Sequence, residues 1–184
     1  LDDTVNKGTG WTPRANETIN GIVFDVFTQG AATLKVQNPA ILPPVINGFD
    51  TAITYIENGI GLRLDVDATV TDSDSANFDT GKLTVQLITN GESTDRLAIR
   101  NVGVAAGQIG VNGANVTFGG TIIGTFTGGA GTSALVVTLN TSATPVRVQA
   151  LLRNVTYRSL SDNPSTLART VRVTLTDGDG GTSN

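Results

Sequence analysis

Hydrophobic and polar residues alternate along most of this chain, and Gly and Asn separate the alternating runs. Alternation with a period of two is typical of strands that bury one face. Many short runs with turn residues between them predict an all-β sandwich. The runs interpreted as strands are residues 22–27, 32–37, 52–56, 62–70, 82–89, 96–101, 116–118, 121–127, 134–139, 155–157 and 169–175.

One segment departs from this alternation and predicts the only helix. Thr144 is a suitable N-cap, and Pro145 follows at the first helical position. Val148, Leu151 and Leu152 then fall on one helical face. We therefore expect a short helix of two or three turns within residues 144–153.

The proline pattern divides the chain into two parts. Residues 1–20 are polar and irregular, and residues 38–44 hold three of the six prolines. Proline lacks an N–H and fixes φ, so this stretch predicts a stiff connector rather than sheet interior. We expect an N-terminal arm over residues 1–44 and a sandwich domain over residues 45–184.

Composition removes several classes of function. The net charge of −4 and the lack of a basic stripe argue against nucleic acid as a partner, and no apolar run predicts membrane insertion. Without Cys or His there is no disulfide, thiolate nucleophile or imidazole base, so we do not expect an enzyme. The chain begins at Leu1 and has no Met, which favours a processed or excised form.

Two acidic turns carry the candidate chemistry. Residues 71–75 read Thr-Asp-Ser-Asp-Ser, and residues 176–181 read Thr-Asp-Gly-Asp-Gly-Gly, each directly after a strand-like run. Carboxylates two positions apart on a turn can converge on Ca²⁺, which prefers oxygen ligands. The alternative is that Asp, Ser and Gly serve here only as turn formers.

The order of motifs from about residue 53 onward resembles the cadherin-like repeats of large bacterial extracellular adhesins and surface proteins. The matching stretches are residues 54–59, 68–75, 83–85, 95–97, 148–157 and 173–183. The resemblance implies a Greek-key, cadherin- or Ig-like β-sandwich, calcium at a domain end, and a structural or adhesive role outside the cell. The chain departs from the family at residues 152–154. The family has an acidic motif in this region, before its sixth strand, and residues 152–154 contain no acid.

The family topology also implies where the acidic turns lie. With residues 62–70 as the second strand and 169–175 as the sixth, both turns emerge at one end of the sandwich. The metal ligands are then Asp72, Asp74, Asp177 and Asp179, on one shared Ca²⁺. Residues 38–50, including Asn47 and Asp50, or another molecule would complete the site. Glu57 is a weaker candidate, and Asp65 and Asp67 are expected on a solvated strand face.

A last strand, which the family has, is absent from the sequence after residue 181. Residues 31–37 look like such a strand, and three alternatives stay open. The segment folds back onto its own domain, is donated to a neighbouring copy in a head-to-tail fibre, or belongs to a preceding repeat.

The function expected from these observations is a non-enzymatic, secreted, calcium-stabilised structural or adhesive module at the bacterial cell surface. Its partners would be further copies, as a head-to-tail homopolymer or tandem repeats, and surface glycans. The alternative is a carbohydrate- or surface-binding β-sandwich that uses the Gly-rich loops of residues 102–133. That function needs exposed aromatics, and the alternation around Phe118 and Phe126 predicts that both belong to the core.

Overall fold

A computed structural model describes residues 9–19, 22–37 and 42–183 of the chain. The chain divides into two compact units, Leu1–Leu42 and Pro43–Asn184. The boundary falls within the proline-rich stretch, two residues before the end of the arm expected from the sequence.

The first unit contains a three-stranded antiparallel sheet in the order β1-β2-β3. Its strands are β1 (Thr12–Ile19), β2 (Ile22–Gln29) and β3 (Ala32–Gln37). Residues 1–20 were expected to be irregular, and β1 shows that this was wrong for Thr12–Ile19. All eight side chains of β1 are exposed, so its sequence carries no alternation that marks a strand.

The pairing of β3 tests whether residues 31–37 fold back onto the sandwich of their own chain. Along Ala32–Gln37, β3 pairs with Phe24–Gln29 of β2. The prediction that this segment folds back to supply the last strand of its own sandwich is therefore wrong, whereas its donation to a neighbouring copy stays a prediction. The segment already has a partner strand within the first unit, because the turn at Gly30 and Ala31 returns the chain directly onto β2.

The second unit is built from antiparallel sheets of six, three and two strands, in the orders β14-β7-β12-β11-β10-β9, β5-β13-β8 and β4-β6. This confirms the expected all-β sandwich with one short helix. The strands are β4 (Val45–Asn47), β5 (Leu62–Arg63), β6 (Thr69–Thr71), β7 (Lys82–Thr89), β8 (Asp95–Ile99), β9 (Ile109–Asn112), β10 (Asn115–Phe118), β11 (Thr121–Thr127), β12 (Leu135–Leu139), β13 (Val155–Ser159) and β14 (Thr170–Thr176).

The core joins the six-stranded sheet, the three-stranded sheet and the helix. In β7 every second side chain is buried, which confirms the predicted inward face of Leu83, Val85 and Leu87. The other sheet contributes Leu97 and Tyr157, among others, to the same buried cluster. Burying apolar area is the main favourable term in folding, so this shared cluster holds the two sheets together.

The helix α1 spans Pro145–Leu152, as the sequence predicted. Thr144 precedes it in an extended conformation, although its side chain makes no capping hydrogen bond. Val148, Leu151 and Leu152 are buried, and α1 contacts β6 and β10. Within the described residues no helix has the length and apolar character needed to cross a membrane.

Two predicted strands are wrong. Residues 52–56 form no regular strand. The long strand over residues 62–70 is divided into β5 and β6 by a turn around Asp65, which is 1% exposed rather than on a solvated face. The Asp65 carboxylate accepts hydrogen bonds from its neighbours' amides, and these local bonds replace the ladder bonds of a continuous strand.

Candidate metal centre

The first acidic turn follows β6 and is closed by one oxygen of Asp72. Asp72 Oδ1 accepts hydrogen bonds from the amides of Asp74 at 3.1 Å and Ser75 at 3.0 Å. An Asp side chain that bonds its own backbone two residues on is a usual way to form a turn. Neither of these bonds uses Oδ2 of Asp72, which is buried without a hydrogen-bond partner.

The second acidic turn follows β14 and uses Asp177 in the same way. Asp177 Oδ1 accepts hydrogen bonds from the amides of Asp179, Gly180 and Gly181, at 3.1, 3.2 and 2.9 Å. Gly178 has φ +94°, and a Cβ there would collide with the carbonyl oxygen of Asp79. The glycine is therefore required for the turn to approach residues 79–81 so closely.

The fold brings the two turns together, although they are about a hundred residues apart in the chain. Ser75 Oγ of the first turn donates a hydrogen bond to Asp179 Oδ2 of the second at 3.0 Å. Three carboxylate oxygens of this junction are buried without a hydrogen-bond partner: Asp72 Oδ2, Asp177 Oδ2 and Asp179 Oδ1. Asp177 is only 2% exposed. Buried carboxylate oxygens without a partner are costly, which marks this junction as a candidate cation site.

The electrostatics of the junction are unfavourable as they stand. Burial raises the pKa of Asp72, and the nearby Asp74 carboxylate raises it further, while the amides of Ser75 and Asp74 oppose the shift. In the described part of the chain, salt bridges are formed by Lys35 and Arg169, and none reaches these two turns. A hard cation with oxygen ligands suits such a cluster.

The beginning of the second unit lies beside this junction. Strand β4 pairs with β6 so that Val45 is opposite Thr71, next to Asp72, and Asn47 is opposite Thr69 at the other end of β6. Residues 43–45 therefore approach the acidic turns, whereas Asn47, which the sequence suggested as a further ligand, lies at the far end of the strand pair.

A second acidic group, Asp50, Asp65 and Asp67, was missed from the sequence. Among the described residues it is the group of three acids in which one oxygen from each lies within 4.8 Å of the others. Both oxygens of Asp65 are already hydrogen-bonded, Oδ2 to the amide of Asp50 at 2.8 Å and Oδ1 to the amides of Asp67 and Ala68. The four predicted ligands form no such three-membered group in the part of the chain that the structure describes, but Asp72, Asp177 and Asp179 each have one buried oxygen without a hydrogen-bond partner. The shared Asp-x-Asp spacing was the signal that could have found this second group.

A buried ion pair was also missed, and it has a structural role. Asp95, with a side chain 0% exposed, accepts hydrogen bonds from Arg169 Nε at 3.1 Å and from the Tyr157 hydroxyl at 2.8 Å. Arg169 also binds Glu92 at 2.7 Å and the carbonyl oxygen of Ser165 at 2.6 Å. The pair thus fastens the loop before β14 to β8 and β13.

Burial is the largest influence on Asp95 and raises its pKa. The effect of burial is outweighed by hydrogen bonds from the backbone amide of Glu92, from Arg169 and from the Tyr157 hydroxyl. The pKa of Asp95 therefore lies below its ordinary value. The pKa of Tyr157 is raised, by burial first and then by its bond to Asp95. Every charged group in this network has a partner, which distinguishes it from the junction of the two acidic turns.

A cavity of about 390 Å³ lies between residues 53–57 and the segment leading into β14. Glu57, the weaker metal candidate, lines this cavity together with Tyr55 and Arg169. The ring of Tyr55 packs edge-on against that of Tyr157, with centroids 5.1 Å apart. Residues 53–57 therefore cover the core next to the buried ion pair although they form no strand.

Comparison with known proteins gives no further information about the site, because no family model, curated protein or solved structure matches this chain. The resemblance to cadherin-like repeats therefore stays a prediction from the motifs in the sequence.

Proposed function

We propose that this protein is a non-enzymatic, calcium-stabilised structural or adhesive module that works outside the bacterial cell, in a surface adhesin or filament. The observation that carries the proposal is the junction of the two acidic turns, with three buried carboxylate oxygens that lack partners. Calcium takes six to eight oxygens at about 2.3–2.6 Å, and Asp side chains supply them readily.

The ligands in this proposal are Asp72 and Asp177, through the oxygens that close neither turn, and Asp179 through Oδ1. Asp74 supplies further negative charge beside Asp72. The remaining positions would be filled by water and backbone carbonyl oxygens, which Ca²⁺ accepts. Thus the residues present fit the ion in chemistry and charge.

The role of the ion is mechanical rather than catalytic. Bound between the turns after β6 and β14, it would offset the repulsion of their carboxylates and hold together strands from distant parts of the chain. Since Val45 is paired beside Thr71, the ion would also stiffen the entry into the second unit. Such stiffening suits a module repeated in tandem or assembled head to tail with further copies.

Thermal unfolding of the full chain with calcium and with a chelator tests the proposal. A ligand that binds only the folded state at 100 times its Kd stabilises by about 2.7 kcal/mol, which raises Tm by roughly 8 °C in a domain of this size. The Asp177→Asn variant keeps Oδ1 for its three amide bonds but replaces the free oxygen by an amide group. This variant should therefore lose the calcium-dependent rise in Tm.

The exposed loop residue Asp162 provides the matched control, since Asp162→Asn removes the same charge at a residue that belongs to neither acidic group. This variant should keep the full calcium-dependent rise. If the wild-type Tm is the same with calcium and with chelator, calcium stabilisation is rejected. An unchanged rise in Asp177→Asn would instead show that the ion binds elsewhere.

A further inference from the structure

The outer face of the three-stranded sheet β5-β13-β8 is rich in arginine. Arg96 on β8 is directly opposite Arg158 on β13, and Thr156 is opposite Arg63 on β5. Leu97 and Tyr157, which alternate with these residues, are buried in the core. Side chains of successive residues point to opposite faces, so the arginines lie on the face turned away from the core.

Among the described residues the arginines of this face form no salt bridge. Like charges directly opposite on neighbouring strands destabilise a sheet, so the pair of Arg96 and Arg158 is unfavourable by itself. The salt bridges among the described residues involve the cations Lys35 and Arg169. No carboxylate in that part of the chain therefore lies within 4.0 Å of Arg96, Arg100 or Arg158. Arg96 is held in place by the carbonyl oxygens of Ser93 and Asp95, at 2.7 and 2.6 Å.

These arginines line a cavity of about 450 Å³ where β8 meets the loop between β11 and β12. This volume is typical of ligand-binding clefts, which span about 300–1,000 Å³. The same cavity is lined by Ile60, which is 94% exposed, and by the edge of Phe126, which is partly buried and packs against the hydrophobic core. An apolar surface thus stands beside three guanidinium groups, in a protein whose net charge is −4.

The spacing of the backbone positions that carry the arginines indicates the kind of ligand. The Cα atoms of directly opposite residues such as Arg96 and Arg158 are about 5 Å apart. Arg100 lies four residues beyond Arg96, which is about 13 Å in an extended chain. Three guanidinium groups carried by backbone positions spread over this distance offer several places for an anion, so the face suits a chain that carries several anions. Guanidinium groups bind carboxylates through paired hydrogen bonds.

We propose that this face binds an acidic polysaccharide. Its uronate carboxylates pair with Arg96, Arg100 and Arg158, and the apolar faces of its sugar rings contact Ile60 and Phe126. The proposal goes beyond the structural role given above, because it names a ligand class and requires no calcium. It also gives Phe126 a role in binding, which the sequence alone did not suggest.

Calorimetric titration of the full chain with oligogalacturonate tests the proposal, with neutral dextran of similar length as the reference. We expect binding of oligogalacturonate that weakens with salt, and no binding of dextran. The double variant Arg96→Gln/Arg158→Gln should bind at least about tenfold more weakly, since each charge-assisted hydrogen bond contributes about that factor. Circular dichroism and thermal unfolding establish that this variant is folded.

The double variant Arg14→Gln/Arg172→Gln is the matched control, because both residues are exposed and the same charge is removed. It should bind oligogalacturonate as the wild type does. If it loses as much affinity as the first double variant, or if the wild type binds no oligogalacturonate, the proposal is overturned.

A further variant separates sugar recognition from simple charge attraction. Ile60→Ser alters a side chain that is 94% exposed, so the fold should be unaffected. It should weaken binding of oligogalacturonate but leave any weak binding of a polyglutamate peptide unchanged. Equally tight binding of both anions, with no effect of Ile60→Ser, would identify an acidic-peptide surface and contradict the polysaccharide assignment.

Discussion

Replacing Arg169 by Ala should strongly destabilise the second unit. The substitution leaves Asp95, with a side chain 0% exposed, buried without its cation, and the Arg169 side chain itself is only 12% exposed. Exposed ion pairs contribute about 0–1 kcal/mol, whereas removing one partner of a buried pair costs about 3–5 kcal/mol. The burial of both partners places this pair in the second class.

Urea unfolding at neutral pH measures the loss. With an m-value of about 2 kcal/mol/M for a unit of this size, the midpoint should fall by roughly 2 M. Arg172→Ala is the matched control, because Arg172 is an exposed residue of β14, the strand that follows Arg169, and its effect should stay within about 0.5 kcal/mol. A loss of less than about 1 kcal/mol in Arg169→Ala would refute the assignment of a buried, energetically important pair.

The pH dependence provides an independent check on the same pair. Since the pKa of Asp95 is lowered in the folded state, its stabilising contribution is complete above its unfolded value of about 3.9. This contribution is lost as the pH falls through the lower folded pKa. In Arg169→Ala the pKa of Asp95 should rise, so the deficit relative to wild type should shrink on acidification. A deficit that does not shrink as the pH falls below about 3.9 would contradict this explanation.

Two further predictions test the core and the second acidic turn. Leu151→Ala in α1 should cost about 2–5 kcal/mol in urea unfolding, because Leu151 is 0% exposed, whereas Val146→Ala on the same helix should cost little, since Val146 is 67% exposed. Equal losses for the two would contradict the predicted helix face. Gly178→Ala should lower Tm by more than Gly113→Ala does, because both glycines have positive φ but only Gly178 lacks room for a Cβ. A smaller effect at Gly178 would show that the turn after β14 is not tightly packed.

Alternation predicted the strands well wherever one face is buried and the other is not. The predicted strand over residues 82–89 has the same bounds as β7. Alternation failed at β1, whose side chains are all exposed, and at residues 62–70, where the apolar positions suggested one continuous strand. In that stretch Val66 is 49% exposed and Asp65 is buried. A carboxylate that bonds three nearby amides thus overrides the hydrophobic pattern.

The acidic turns were identified from residue type, but their proximity followed from the topology that the family resemblance implies. Residue types could not show which oxygen of each Asp closes its own turn and which is left without a partner. This depends on backbone conformations such as that at Gly178 and on the bond from Ser75 to Asp179. For the same reason the Asp50, Asp65 and Asp67 group was hidden in what read as a solvated strand face.

Calorimetric titration of calcium into the full chain tests most directly whether the two acidic turns together bind an ion. We predict saturable binding by wild type, abolished in Asp177→Asn and retained in Asp67→Asn, which changes the second acidic group instead. Absence of binding by the wild type would contradict the claim. So would binding that survives Asp177→Asn but is lost in Asp67→Asn, because the ion would then lie with Asp50, Asp65 and Asp67.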